Sequence, residues 1–148
     1  ASVASPSFGW IGGTSSSTVT LNIGSSNAYQ SNQSGDTYVA YLFASCPGVS
    51  KVGSYTGNGS TQTINCGFTG GARFVLIKRT DSTGDWYVWD TARGIISGND
   101  PYLLINSTAV EVTATDYIAP QSSGFGLTAS APAALNASGG TYLFWAIA

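Results

Sequence analysis

Residues 49–94 read VSKVGSYTGNGSTQTINCGFTGGARFVLIKRTDSTGDWYVWDTARG, a chain of short extended segments punctuated by glycine. Residues 52–55 are extended, and Gly57-Asn58-Gly59 supplies the positive φ angles of a hairpin reversal, so residues 61–65 are expected to run back. Phe74-Val75-Leu76-Ile77 is a continuous apolar run, the mark of a strand buried on both faces. The turn Asp81-Ser82-Thr83-Gly84 leads into a further strand at residues 85–90. Along that strand Trp86 and Val88 point one way, Tyr87 and Trp89 the other. One pair enters the core; the other lines the outer face or a partner chain.

Outward from this stretch, residues 18–23 (TVTLNI) alternate polar and apolar, as a half-buried strand does. Residues 24–35 are a polar loop. Residues 37–44 (TYVAYLFA) are apolar on both faces, which predicts a central strand broken by Pro47-Gly48. Residues 1–16 are rich in Ser and Gly but carry Phe8, Trp10 and Ile11, so they are expected to dock rather than to serve as a free linker. Beyond residue 94, strands are expected at 102–105, 110–113, 125–127 and 141–148, with turns at 98–101 and 122–124 and a loop at 136–140. No segment keeps a 3.6-residue apolar period over three turns. The fold expected is all-β: an antiparallel β-sandwich of jelly-roll or lectin-like type, about ten strands with little helix. Residues 17–148 form its single domain, with residues 1–16 as a docking segment or linker.

Composition narrows the function. Charged residues are 8 % of the 148 and Ser plus Thr about a quarter, far from the usual balance of a cytosolic enzyme. A surface of hydroxyls, amides and glycine suits a rigid β-structure outside a cell or on a particle. The hydrophobic fraction of 43 % with a net charge of −2 argues against disorder. The five basic residues (Lys51, Arg73, Lys78, Arg79, Arg93) make no run beyond Lys78-Arg79, so no stripe is offered to a nucleic acid. No apolar run has the length of a membrane helix, and ASVASPSFGW lacks the charged and apolar regions of a signal peptide. No membrane insertion is expected, and Ala1 begins either a mature chain or a piece of something longer.

Chemistry is hard to place. Without histidine there is no Ser-His-Asp or Cys-His nucleophile, and two cysteines supply half a zinc ligand set. The acids are Asp36, Asp81, Asp85, Asp90, Asp100, Glu111 and Asp116. Asp85 and Asp90 fall on opposite faces of one strand, so they are not the paired carboxyls of a glycosidase. The loop 81–85 offers two carboxylates and a hydroxyl, too few for calcium and ordinary for a polar hairpin. No catalytic residue, metal or cofactor is therefore expected. Asp90 and Arg93, three apart after a strand, suit a charge-assisted bond that fixes the turn into Gly94. Tyr55, Trp86, Trp89, Tyr102 and Trp145 are the candidates for a ligand or interface, since exposed Trp and Tyr serve both as sugar-stacking platforms and as protein-interface anchors. For any one of them the competing fate is core packing.

The order of segments also resembles a known module. KVGSYTGNG, then Gly67-Phe68, an apolar strand ending in Lys78, then W-x-x-WD-x-x-RG from Trp86 to Gly94, SSGFGL and the closing GGTYLFWAIA look like a module of bacteriophage tail-fibre and other virion proteins. The resemblance spans residues 36–148. It implies a non-enzymatic virion protein, assembled in the host cytoplasm and exposed on the particle, with other virion proteins as partners. The function expected first is recognition of host-surface glycan at the end of a fibre or spike; the alternative is a capsid decoration or fibre-assembly element without a ligand. Fibre-like proteins close with rotational symmetry, so a homotrimer is expected. The resemblance also favours free thiols at Cys46 and Cys66, with a disulfide closing about twenty residues as the alternative.

Overall fold

The computed structural model describes residues 10–14, 19–22, 35 and 37–148. The chain divides into two compact units, one of residues 2–42 and one of residues 43–148. The boundary expected after residue 16 lies outside the described residues, as do the aromatics Phe8 and the polar loop up to residue 34. In the first unit β1 (Trp10–Thr14) pairs antiparallel with β2 (Val19–Asn22), with a register shift between Ile11 and Gly13.

The second unit is nearly all β, in two antiparallel sheets. Its strands are β3 (Ser50–Thr56), β4 (Gln62–Asn65), β5 (Phe74–Arg79), β6 (Trp86–Asp90), β7 (Leu103–Leu104), β8 (Ile118–Gln121), β9 (Gly124–Leu127) and β10 (Thr141–Ile147). A single helical turn, α1 (Ala133–Asn136), precedes β10. The larger sheet has the order β3-β10-β5-β6-β7 and the smaller the order β4-β9-β8. Alternation decides which side chains face inward. Val75, Ile77, Trp89, Tyr142, Phe144 and Ala146 from the larger sheet form one buried cluster with Ile64, Ile118, Phe125 and Leu127 from the smaller. The Phe125 and Phe144 rings meet edge to face at 5.5 Å, joining the two layers. Each such side chain taken from water contributes about 1.5–3 kcal/mol, so this cluster supplies the main driving force of the unit.

Several expectations are corrected. The segment 57–61 does not close a hairpin: β3 pairs with β10 and β4 with β9, so the chain crosses from one sheet to the other. Only Gly59 there has positive φ, +68°. Gly57 serves close approach instead, because a Cβ on it would strike the Ala137 carbonyl oxygen. The stretch 37–44 is not a central strand. None of its residues lies in a strand, and Tyr38, Val39, Tyr41, Leu42 and Phe43 are exposed. Apolar residues on both faces favour a strand only where both faces are covered. Residues 110–113 form one bridge, Val112 to Tyr102, rather than a strand. β5 is not buried on both faces: Val75 and Ile77 are buried, whereas Phe74 and Leu76 are half-exposed on the other side. Cys46 and Cys66 are both free thiols, one exposed and one buried, and burial pushes the Cys66 thiol up to about 11.

Candidate functional site

The outward face of the five-stranded sheet carries the least expected chemistry. Register places Val52 (β3) opposite Trp145 (β10), Trp145 opposite Leu76 (β5), Leu76 opposite Val88 (β6) and Val88 opposite Leu103 (β7). One apolar rung therefore crosses all five strands. The next rung holds Ser54, Leu143, Lys78 and Trp86, and the one on the other side holds Ser50, Ile147, Phe74 and Asp90. An antiparallel sheet with one face on the core normally turns a polar face to water. This one does not.

The face is organised around Trp145. Phe43 stacks on its ring at 3.8 Å between centroids, and Phe74 meets it edge-on at 5.0 Å. Leu143 and Val52 are exposed beside it, as is Phe43 itself. Trp86, 39 % exposed, stands one rung away. Its backbone N–H donates to Asn106 Oδ1 at 2.8 Å, and Asn106 Nδ2 donates to Asp85 Oδ1 at 2.9 Å, which fixes a small polar group next to the indole. Lys78, opposite Trp86 on β5, donates to the Gly84 carbonyl.

At the other margin lies an open depression lined by Arg73, Asp90, Arg93, Leu103, Glu111 and Ile147. Asp90 takes the Arg93 backbone N–H at 2.9 Å and pairs with its guanidinium, and the Asp90 carbonyl takes the Gly94 N–H at 3.0 Å. The turn into Gly94, at φ +130°, is held at both ends of the aspartate. Arg93 Nε also reaches Glu111 at 2.9 Å, a partner that spacing along the chain does not reveal. Both carboxylates are therefore engaged by one guanidinium, and the cluster is a rim that braces the loop after β6.

The five aromatic candidates separate. Trp89 is fully buried, with its Nε1 donating to the Asp100 carbonyl at 3.2 Å, so it cannot meet a ligand or partner. Tyr55 stacks on Tyr142 at 4.9 Å and donates to the Leu135 carbonyl at 2.7 Å; burial raises its hydroxyl pKa strongly. Tyr102 packs against Tyr87, Trp89 and Tyr117 on the inner side. Only Trp86 and Trp145 share the outer face. Val52, Leu76, Val88, Leu103 and Leu143 complete it. Each strand's alternation hints at them one at a time, but the register that aligns them is not written in any single strand.

Elsewhere two further carboxylates are engaged. Asp81 pairs with Arg79 Nε at 2.8 Å, which holds its carboxyl down to about 2, and Asp85 belongs to Asn106. Among the described residues no cluster of three carboxylates or thiols is placed to hold a metal ion. Among the described residues no helix is long and apolar enough to cross a membrane.

A family model described as Domain of unknown function (DUF7483) matches residues 2–148. The chain belongs to that family. No curated protein and no solved structure matches it. The family description names no activity.

Proposed function

We propose that this chain is a non-enzymatic structural module of a bacteriophage particle, exposed on the virion, whose work is assembly. Its two sheets are read as an antiparallel β-sandwich of jelly-roll type, and the assembled state as a homotrimer. The observation that carries the proposal is the rung Val52–Trp145–Leu76–Val88–Leu103, apolar across five strands and partly open to water. Monomeric proteins rarely display a contiguous apolar face of this kind. The rim of Arg73, Asp90, Arg93 and Glu111 beside it matches the usual anatomy of an interface, apolar in the middle and polar around it. The phage assignment itself rests on the segment resemblance alone.

A second reading, lectin-like recognition of host-surface glycan, is favoured by one feature. Trp86 is an exposed indole flanked by the Asp85–Asn106 pair, the combination of stacking platform and hydroxyl-reading groups that sugars use. The loss of Tyr55, Trp89 and Tyr102 to the interior weakens it.

Light scattering on the intact protein tests assembly: a trimer is expected for the wild type and a monomer for Leu143→Lys, which puts a charge into the middle of the face. A monomeric wild type at every concentration rejects the reading. Labelling of phage particles with an antibody to this domain tests its place on the virion.

A further inference from the structure

We infer that Tyr87, Tyr102, Tyr117 and Asp85 form a binding site that reads the hydroxyls of a neutral saccharide. The inference goes beyond the assembly reading. It also places sugar recognition on groups other than the Trp86 indole, on which the second reading rests.

The three tyrosine rings gather where β6 and β7 meet the approach to β8. Tyr87 and Tyr102 lie 5.1 Å apart between centroids, and Tyr102 and Tyr117 5.8 Å. Trp89 lies 5.8 Å from both Tyr87 and Tyr102. Each backbone is held by its neighbours. Tyr87 sits in β6 between Ile77 of β5 and Leu104 of β7. Tyr102 exchanges both backbone bonds with Val112 at 3.0 Å, and the Tyr117 N–H donates to the buried Asp100 carboxylate at 3.0 Å. Groups carried on such supports lose little freedom on binding.

Their hydroxyl ends are open. Tyr55 donates to the Leu135 carbonyl and Tyr142 to the Ala133 carbonyl, each at 2.7 Å, the usual fate of a packed tyrosine. The hydroxyls of Tyr87, Tyr102 and Tyr117 bond to nothing among the described residues. Tyr87 is only 9 % exposed, yet among those residues no enclosed side-chain oxygen lacks a partner, so its hydroxyl reaches water. Burial raises the hydroxyl pKa of Tyr87, and Tyr102, Asp85 and Tyr117 add to the rise. At Tyr102 burial acts first again, followed by Tyr117 and Asp85. Phenols and carboxylate therefore share one neighbourhood, and Tyr87 and Tyr102 keep their protons at neutral pH. Asp85 gives Oδ1 to the Asn106 amide at 2.9 Å, which leaves Oδ2 to accept from a ligand.

The open groups select the ligand. Tyr102 has Tyr87, Trp89 and Tyr117 against it, so the ring faces are occupied by one another and offer neither a stacking platform nor a cage for an ammonium ion. Among the described residues no lysine or arginine pairs with Asp85, so an anion finds no counter-charge. What remains is a set of phenols that donate and accept, beside a carboxylate oxygen that accepts. Neighbouring hydroxyls of a sugar answer both roles without charge.

The intact protein is screened on an array of neutral and acidic glycans, and the neutral glycan bound most strongly is titrated in solution at millimolar concentration. Tyr102→Phe and Tyr117→Phe remove only hydroxyls without a protein partner, so melting temperature should stay within about 2 °C of wild type. Each should raise the dissociation constant about three- to tenfold. Tyr55→Phe, which loses a bond within the fold, should lower the melting temperature and leave affinity unchanged. A fall in melting temperature for Tyr102→Phe and Tyr117→Phe that matches Tyr55→Phe means their hydroxyls are bonded internally, and overturns the inference. Binding lost in Trp86→Ala but unchanged in both Tyr→Phe variants puts the sugar on the indole; it upholds the second reading and overturns this one. A wild type that binds no neutral glycan, or only acidic ones, overturns it as well.

Discussion

Asn136 and Asn58, seventy-eight positions apart in the chain, hold each other through a two-way amide contact. Asn136 Oδ1 takes the Asn58 backbone N–H at 3.0 Å, and Asn136 Nδ2 donates to Asn58 Oδ1 at 3.3 Å and to the Ser60 carbonyl at 2.6 Å. Gln62 Nε2 adds a fourth bond to Asn136 Oδ1 at 2.9 Å. Asn136 is almost fully buried, so these bonds replace water for a group that would otherwise be costly to enclose. They pin the crossing between the two sheets onto α1. Asn136→Ala should leave several of those groups unsatisfied and cost about 2–3 kcal/mol. A urea midpoint unchanged from the wild type would show that the crossing is held by something else.

The two glycines of the same crossing should respond for different reasons. Gly57→Ala drives a methyl into the Ala137 carbonyl, which only a backbone shift can relieve. At Gly59 an added Cβ meets Ser138 at an ordinary 3.6 Å, so the cost is the φ of +68° alone, about 1 kcal/mol for Ala and more for Val. Gly57→Ala should therefore be the more damaging. Equal losses of melting temperature would mean that the close approach is softer than its geometry implies.

Trp86 and Trp89 give the sharpest contrast on one strand. Trp89→Ala empties a fully buried site and removes the indole N–H that donates to the Asp100 carbonyl, for a loss of about 3–5 kcal/mol. Trp86→Ala removes a part-exposed indole and should cost less than about 1 kcal/mol, while weakening self-association measured by light scattering. Large and equal losses of stability from both would place Trp86 in a second core.

Parity along β6 separates those tryptophans in the sequence, but it cannot say which of them faces inward. Asp90 and Arg93 were legible from their spacing, because a turn after a strand brings such a pair together; Glu111, on a distant loop, was not. β8 went unseen because Pro120 argues against a strand, and Pro is accommodated here because β8 is an edge with β9 on one side only. The stretch 37–44 misled in the opposite direction. Its side chains suit a strand, but strand formation needs a partner, and pairing is a property of two segments. The outer rung was hidden for the same reason.

Asp100 should make stability fall as pH rises through the mildly acidic range. Its carboxylate accepts the Tyr117 and Ile118 N–H groups at 3.0 Å, but it is fully buried, with Asp116 nearby. Burial pushes the carboxyl up to about 6; Asp116 adds to the rise, and the backbone donors oppose it. In the unfolded chain it titrates near 3.9. Between these values the folded protein binds the extra proton, so stability is full below about pH 4 and is lost as pH rises through about 6. Asp81 works the other way. Held down to about 2 by Arg79, its contribution is present above about pH 4 and fades as pH falls toward 2. It is exposed and weak, so the acid limb should be shallow. Melting temperature should therefore peak near pH 4 and fall by several degrees by pH 7, a domain this size shifting about 2–8 °C per kcal/mol. Asp100→Asn keeps an acceptor oxygen but has no proton to exchange, so its profile should be flat from pH 4 to 7. A wild-type melting temperature that climbs steadily over that interval would mean that the Tyr117 and Ile118 donors outweigh burial, and that Asp100 is ionised in the fold throughout.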